Sequence, residues 1–156
     1  MNKGFERLKV IKQTHFQVTS DLNALNRVLF QFNQIDQPSI PTQYWLQCQL
    51  ALVEGFTNAV RHAHKGLASN TPIEIKLTLC TQSIEIRIWD CGQPFELENP
   101  LEKASQKQND LASGGRGLQI LAKIADRLYY FRTKDKRNCL LIIKLFNPET
   151  ETLVND

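Results

Sequence analysis

The chain has 156 residues, with 19 Lys and Arg against 16 Asp and Glu, a formal net charge of +3, and 42% hydrophobic and 22% charged residues. A chain this long can bury a sizeable core without disulfides or a metal, so one globular domain over 1–156 is expected, and the balance excludes collagen-like and strongly disordered classes. The charge is too mild and too scattered for a nucleic-acid patch, no apolar run approaches the roughly 18 residues of a membrane span, and the first residues, Met1 to Arg7, carry no apolar signal core. These features point to a cytoplasmic protein without nucleic-acid or membrane partners.

Thr14 to Val18 alternates around His15 and Phe16 and predicts a short opening strand, after which Ser20 or Asp21 can cap a helix. That helix carries Leu22, Leu25, Val28, Leu29 and Phe32 at helical spacing and stops before Pro38. Ser39-Ile40-Pro41 opens a second helix with Pro41 at its first position, and Leu46, Leu50, Val53 and Val60 mark an apolar stripe through to Gly66. Residues 66–72 form the exit loop.

Ile73, Ile75, Leu77 and Leu79 alternate with polar residues, and after Thr81-Gln82-Ser83 the pattern resumes at Ile84, Ile86 and Ile88, a half-buried hairpin. Asp90 shares the parity of the three isoleucines, so its carboxylate faces the core and requires a partner. From Gln93 to Ser113 periodicity disappears, and so long a stretch inside a compact domain is usually a lid or disordered. Gly114 to Arg127 returns to a helix, followed by strands Leu128–Thr133 and Cys139–Phe146 around the polar turn Lys134-Asp135-Lys136-Arg137-Asn138. The order predicts an α/β fold, a two-layer sandwich with helices on one face of a mostly antiparallel sheet. Cys48, Cys80, Cys91 and Cys139 lack the CxxC spacing of a zinc site and read as reduced packing residues.

Three segments carry candidate chemistry. In Glu54-Gly55-Phe56-Thr57-Asn58-Ala59-Val60-Arg61-His62, the spacing puts Glu54, Asn58 and Arg61 or His62 on one polar stripe. A carboxamide oxygen suits Mg²⁺, and a carboxylate one turn away suits a general base, although the same residues also fit a solvated helix face. In Asp90-Cys91-Gly92-Gln93-Pro94-Phe95, a core-side carboxylate can accept a hydrogen bond from an exocyclic amine while Gly92 admits a ring closely, unless it simply ends the strand. In Ser113-Gly114-Gly115-Arg116-Gly117-Leu118, glycines at a helix start free backbone N–H groups for phosphate, or provide a hinge.

Together and in this order, ExxxNAxxH at 54–62, DxGxPF at 90–95 and GGRGL at 114–118 resemble the N, G1 and G2 boxes of the GHKL (Bergerat-fold) ATPases, in particular the bacterial anti-sigma-factor serine/threonine kinases, over about residues 14–146. The resemblance implies a Bergerat ATP-binding fold with a lid at 95–113 and a tail at 147–156. Its cofactors would be ATP and Mg²⁺. Glu54 is then the catalytic base and Asn58 the metal ligand. The nucleotide-binding set is Asn58, His62, Asp90, Gly92, Gly115, Arg116, Gly117 and Leu118. Members often carry an arginine before the G2 glycines where this chain reads Leu111-Ala112-Ser113, which leaves Arg116, Lys103 or Lys107 to reach the terminal phosphate. The implied partners are an antagonist protein substrate and a sigma factor, with a possible homodimer. The alternatives are a non-catalytic, ATP-responsive binding module and a stand-alone histidine-kinase-type ATPase domain. Against the latter, His15 falls in a predicted strand and not on a long phosphoacceptor helix.

Overall fold

The structure, a computed structural model, describes residues 9–36, 40–94 and 115–146. The expected lid, the tail, Lys103, Lys107, Gly114 and the helix start at Ser39 lie outside them. Five strands form one antiparallel sheet: β1 (Val10–Thr19), β2 (Pro72–Cys80), β3 (Ser83–Asp90), β4 (Arg127–Arg132) and β5 (Asn138–Leu145), in the spatial order β1-β2-β3-β5-β4. Each strand buries one alternating set, and Ile73, Ile75, Leu77, Ile84, Ile86, Ile88, Leu140 and Ile142 fill the face beneath the helices. Period-two patterning thus gives an α/β sandwich with one covered sheet face, as expected. The polar segment after β4 is a hairpin turn: the Thr133 N–H donates to the Arg137 carbonyl at 2.8 Å, and Lys136 takes a left-handed φ of 64°.

Among the described residues the helical layer consists of α1 (Leu25–Asn33), α2 (Thr42–Asn58) and α3 (Gly115–Ile124). Asp21 caps the short 3₁₀ turn Leu22–Ala24 ahead of α1 by accepting from the Asn23 N–H at 2.9 Å. Val28 and Phe32 are buried, and Phe32 stacks on Trp45 of α2 with ring centroids 4.0 Å apart. Pro41 stands one residue outside α2 as its N-cap, where its carbonyl accepts from the N–H groups of Tyr44 and Trp45.

The buried stripe of α2 differs from the expected one. Leu46 and Leu50 are 56% and 44% exposed, whereas Cys48, Ala51, Leu52, Gly55 and Phe56 are buried. At 3.6 residues per turn the two sets lie on nearly opposite sides of the helix. The side with small residues faces the sheet because it permits the closest approach. A Cβ on Gly55 would fall 2.6 Å from Ile88 Cδ1, so a glycine that costs about 1 kcal/mol of helix propensity is retained for contact between the layers. Burial pushes the Cys48 thiol up to about 12 and that of Cys139 up to about 11, and all four cysteines are free. No helix among the described residues is long and apolar enough to cross a membrane.

Candidate functional site

The three sequence motifs converge at one end of the interface between sheet and helices. Glu54 and Asn58 lie one turn apart on α2, both half-buried at the border of its sheet-facing side. The start of α3 passes directly over Glu54: a Cβ on Gly117 would sit 3.1 Å from Glu54 Oε2. The first turn of α3 therefore presents its unpaired N–H groups, and the positive end of the helix dipole, beside that carboxylate. Gly115 opens the helix and Arg116 is exposed in the first turn. Leu118 is buried in the core beside Leu121, so it has only its backbone to offer a ligand.

Beyond Asn58, residues Ala59–Ala63 form a π turn in which the His64 N–H reaches the Ala59 carbonyl at 2.9 Å. The extra residue per turn breaks the stripe that even α-helical spacing extends to position 62. His62 and Arg61 are exposed, while His64 turns inward and is buried. Burial, with the Arg61 and Lys65 charges adding to it, lowers the His62 pKa.

The π turn braces the end of β3. His64 Nε2 accepts the Cys91 N–H at 2.8 Å. This leaves the imidazole proton of the neutral ring on Nδ1, which is buried with no hydrogen-bond partner among the described residues. Burial lowers the His64 pKa, partly opposed by the Asp90 charge. A Cβ on Gly92 would lie 2.5 Å from the Ala63 carbonyl oxygen. Cys91 is half-buried, burial raises its thiol pKa, and its Sγ lies 3.7 Å from the Pro72 carbonyl, the packing role expected of it.

Asp90 is 2% exposed on the core side of β3. Its Oδ1 accepts from the Gly92 N–H at 2.8 Å and from Asn138 Nδ2 at 2.9 Å, and its Oδ2 accepts from the Tyr130 hydroxyl. The partner that a buried carboxylate requires is thus supplied threefold, twice from the β4–β5 hairpin. Asn138 also donates to the Gln93 carbonyl at 2.8 Å, and Arg132 donates to the Gly92 carbonyl at 3.0 Å. His64, Tyr130, Arg132 and Asn138 were not singled out from the sequence. Tyr130 carried a signal, because it shares the core parity of Leu128 and a buried phenol needs a partner. Asn138 was masked by its place in the polar turn.

From Glu54 to Ala63 the helix runs about 13 Å at 1.5 Å per residue. It joins a phosphate-suited end, with glycine N–H groups and a helix terminus, to a base-suited end, where a buried carboxylate lies beside a glycine. An elongated nucleotide fits such a site. Among the described residues no group of three or more His, Cys, Asp or Glu is placed to hold a metal. Oxygen ligands for Mg²⁺ at this site would be Asn58 and those of a nucleotide. An apolar cleft lined by Ile11, Ile40, Leu79 and Phe146 lies at the far end of β2 from Asp90 and takes no part in this arrangement.

Among the described residues, helices cover one face of an antiparallel sheet and the three motifs meet at the helix–sheet border, an arrangement consistent with an ATPase-type domain. The family model of the histidine kinase-like ATPase domain matches residues 18–144, and the chain belongs to this family. It is 28% identical over 89 residues to the serine-protein kinase RsbW of Listeria monocytogenes serotype 4a, and equally to that of serotype 4b, covering 53% of this chain and 56% of each relative. The chain thus spans about half the length of the curated relatives it matches. The blue-light activated histidine kinase of Erythrobacter litoralis EL346 shares the fold at 19% identity, with a TM-score of 0.52, over 82% of this chain and 42% of that one.

Proposed function

We propose that the chain is an ATP-dependent protein serine/threonine kinase and anti-sigma-type regulator that phosphorylates an antagonist protein and alternately holds a sigma factor. The observation that carries the kinase reading is the contact of Glu54 with Gly117. It supports the reading because a carboxylate beside the helix start that would cradle the terminal phosphates is suited to act on an acceptor hydroxyl there. The similarity to serine-protein kinases named RsbW supports the same reading.

Glu54 takes the proton of the acceptor Ser or Thr hydroxyl as its oxygen bonds to the γ-phosphorus and ADP departs. Asn58 would hold Mg²⁺ through its carboxamide oxygen, and the bound ion would offset charge on the transferred phosphoryl group. Asp90 receives the adenine amine, and Gly92, where a Cβ would fall 2.5 Å from the Ala63 carbonyl oxygen, keeps the end of β3 that carries Asp90 close against the π turn. The N–H groups at Gly115, Arg116, Gly117 and Leu118 receive phosphate oxygens. His62 stands at the exposed rim.

The test uses the full chain with Mg-ATP and each candidate antagonist encoded nearby. Phosphate should appear on a Ser or Thr of one of them, and Glu54→Ala should slow transfer by about 100-fold or more with ATP affinity within a few-fold of the parent. Equal transfer by parent and variant, or none by either, would leave a nucleotide-responsive binding module in place of a kinase.

A further inference from the structure

A carboxylate has two oxygens and about four acceptor positions. On Asp90, the Gly92 and Asn138 donors occupy both positions of Oδ1, and the Tyr130 hydroxyl occupies one position of Oδ2. Among the described residues, one acceptor position remains. We propose that Tyr130 and Asn138 are the specificity-setting positioning residues of the base site, aiming that single remaining lone pair so that it admits a 6-aminopurine and rejects a 6-oxopurine. This rests on the nucleotide reading above and adds to it residues outside all three motifs.

Each donor is oriented by its surroundings. Asn138 is 1% exposed, and its Oδ1 accepts from Arg132 Nη1 at 3.3 Å. A guanidinium can only donate, so it determines which end of the amide is oxygen and turns Nδ2 toward Asp90. The same Arg132 holds the Gly92 carbonyl, and Asn138 Nδ2 holds the Gln93 carbonyl. The strand end, the amide and the carboxylate therefore form one unit. Tyr130 is 9% exposed, and burial together with the Asp90 charge pushes its phenol far up, so it remains an O–H donor at any working pH.

An aspartate's terminal torsion is soft, and donors on both oxygens fix its plane. An exocyclic amine can then meet the open position of Oδ2, whereas a 6-oxo group brings a second acceptor against it with no proton between. Without the Tyr130 hydroxyl, Oδ2 has two open positions and loses its direction.

Calorimetry on the full chain with ATP and with ITP, whose base differs in carrying oxygen at position 6, tests this. The parent should bind ATP at least about tenfold tighter than ITP. Tyr130→Phe should weaken ATP about tenfold and leave ITP within about twofold, collapsing the preference. A general loosening of the fold would weaken both nucleotides alike. Arg132 is exposed, so Arg132→Gln carries the test with little risk to folding and should lower the preference about threefold. A parent that binds no ATP overturns the nucleotide reading itself. The inference alone is overturned by a parent that binds ATP and ITP equally, or by variants in which the ratio is unchanged.

Discussion

Replacing Gly92 with alanine adds one methyl group, and the structure decides its sign. Gly92 is outside the left-handed region, since Gly66 is the positive-φ glycine among the described residues. An alanine there would be unstrained and, by restricting the unfolded chain, would ordinarily stabilise by about 0.4–1 kcal/mol. Against this, the new Cβ would stand 2.5 Å from the Ala63 carbonyl oxygen, 3.1 Å from its carbon and 3.0 Å from Asp90 Oδ1. The nearest atom is a backbone oxygen and cannot swing aside, and the Asp90 carboxylate is held by its three donors. Relief requires the π turn and the end of β3 to separate, which stretches the 2.8 Å bonds from Cys91 to His64 and from Gly92 to Asp90. Overpacking of this kind costs about 1–3 kcal/mol and each weakened hydrogen bond about 1 kcal/mol, so the clash wins. Gly92→Ala should lose about 1–3 kcal/mol in urea unfolding and bind ATP at least about tenfold more weakly by calorimetry. A variant as stable as the parent and with the same ATP affinity would refute the close approach of the π turn to β3.

Gly117→Ala meets the flexible end of Glu54 at 3.1 Å, not backbone, and alanine is the better helix former by about 1 kcal/mol. Unfolding should show unchanged or slightly raised stability while phosphate transfer falls; intact transfer would mean that Glu54 does not act at this helix start. His64 links stability to pH. Its folded pKa lies below the ordinary 6.5, so the unfolded chain binds the proton first. Stability is then complete above about 6.5 and declines as the pH falls through the lowered folded value. Urea midpoints measured from pH 7 to pH 5 should fall more steeply for the parent than for His64→Gln, and parallel curves would contradict the buried neutral imidazole.

The fold was largely legible because period-two alternation identifies the buried set of each strand without knowledge of its partner. The Ile73–Leu79 and Ile84–Ile88 series and the parity of Asp90 are of this kind. Helix faces were less legible. Alpha-helix α2 has apolar residues on two sides, and Leu46, Leu50 and Val53 continue a stripe by spacing, yet the side through Ala51, Leu52, Gly55 and Phe56 meets the sheet. Packing rewards contact area at close approach, which a residue's own hydrophobicity does not encode.

By itself the sequence determined the alternation, the order of the elements, the three motifs and the requirement that Asp90 find partners. Only the tertiary structure decided who those partners are. Tyr130 and Asn138 lie 40 and 48 residues away and reach the carboxylate because β5 pairs with β3 in a register that sets Asn138 opposite Asp90. The π turn likewise takes Arg61 and His62 out to the exposed surface and turns His64 inward. Periodicity is local, whereas register and a one-residue bulge are selected by the packing of whole layers, and the residues that orient the site are positioned by that packing.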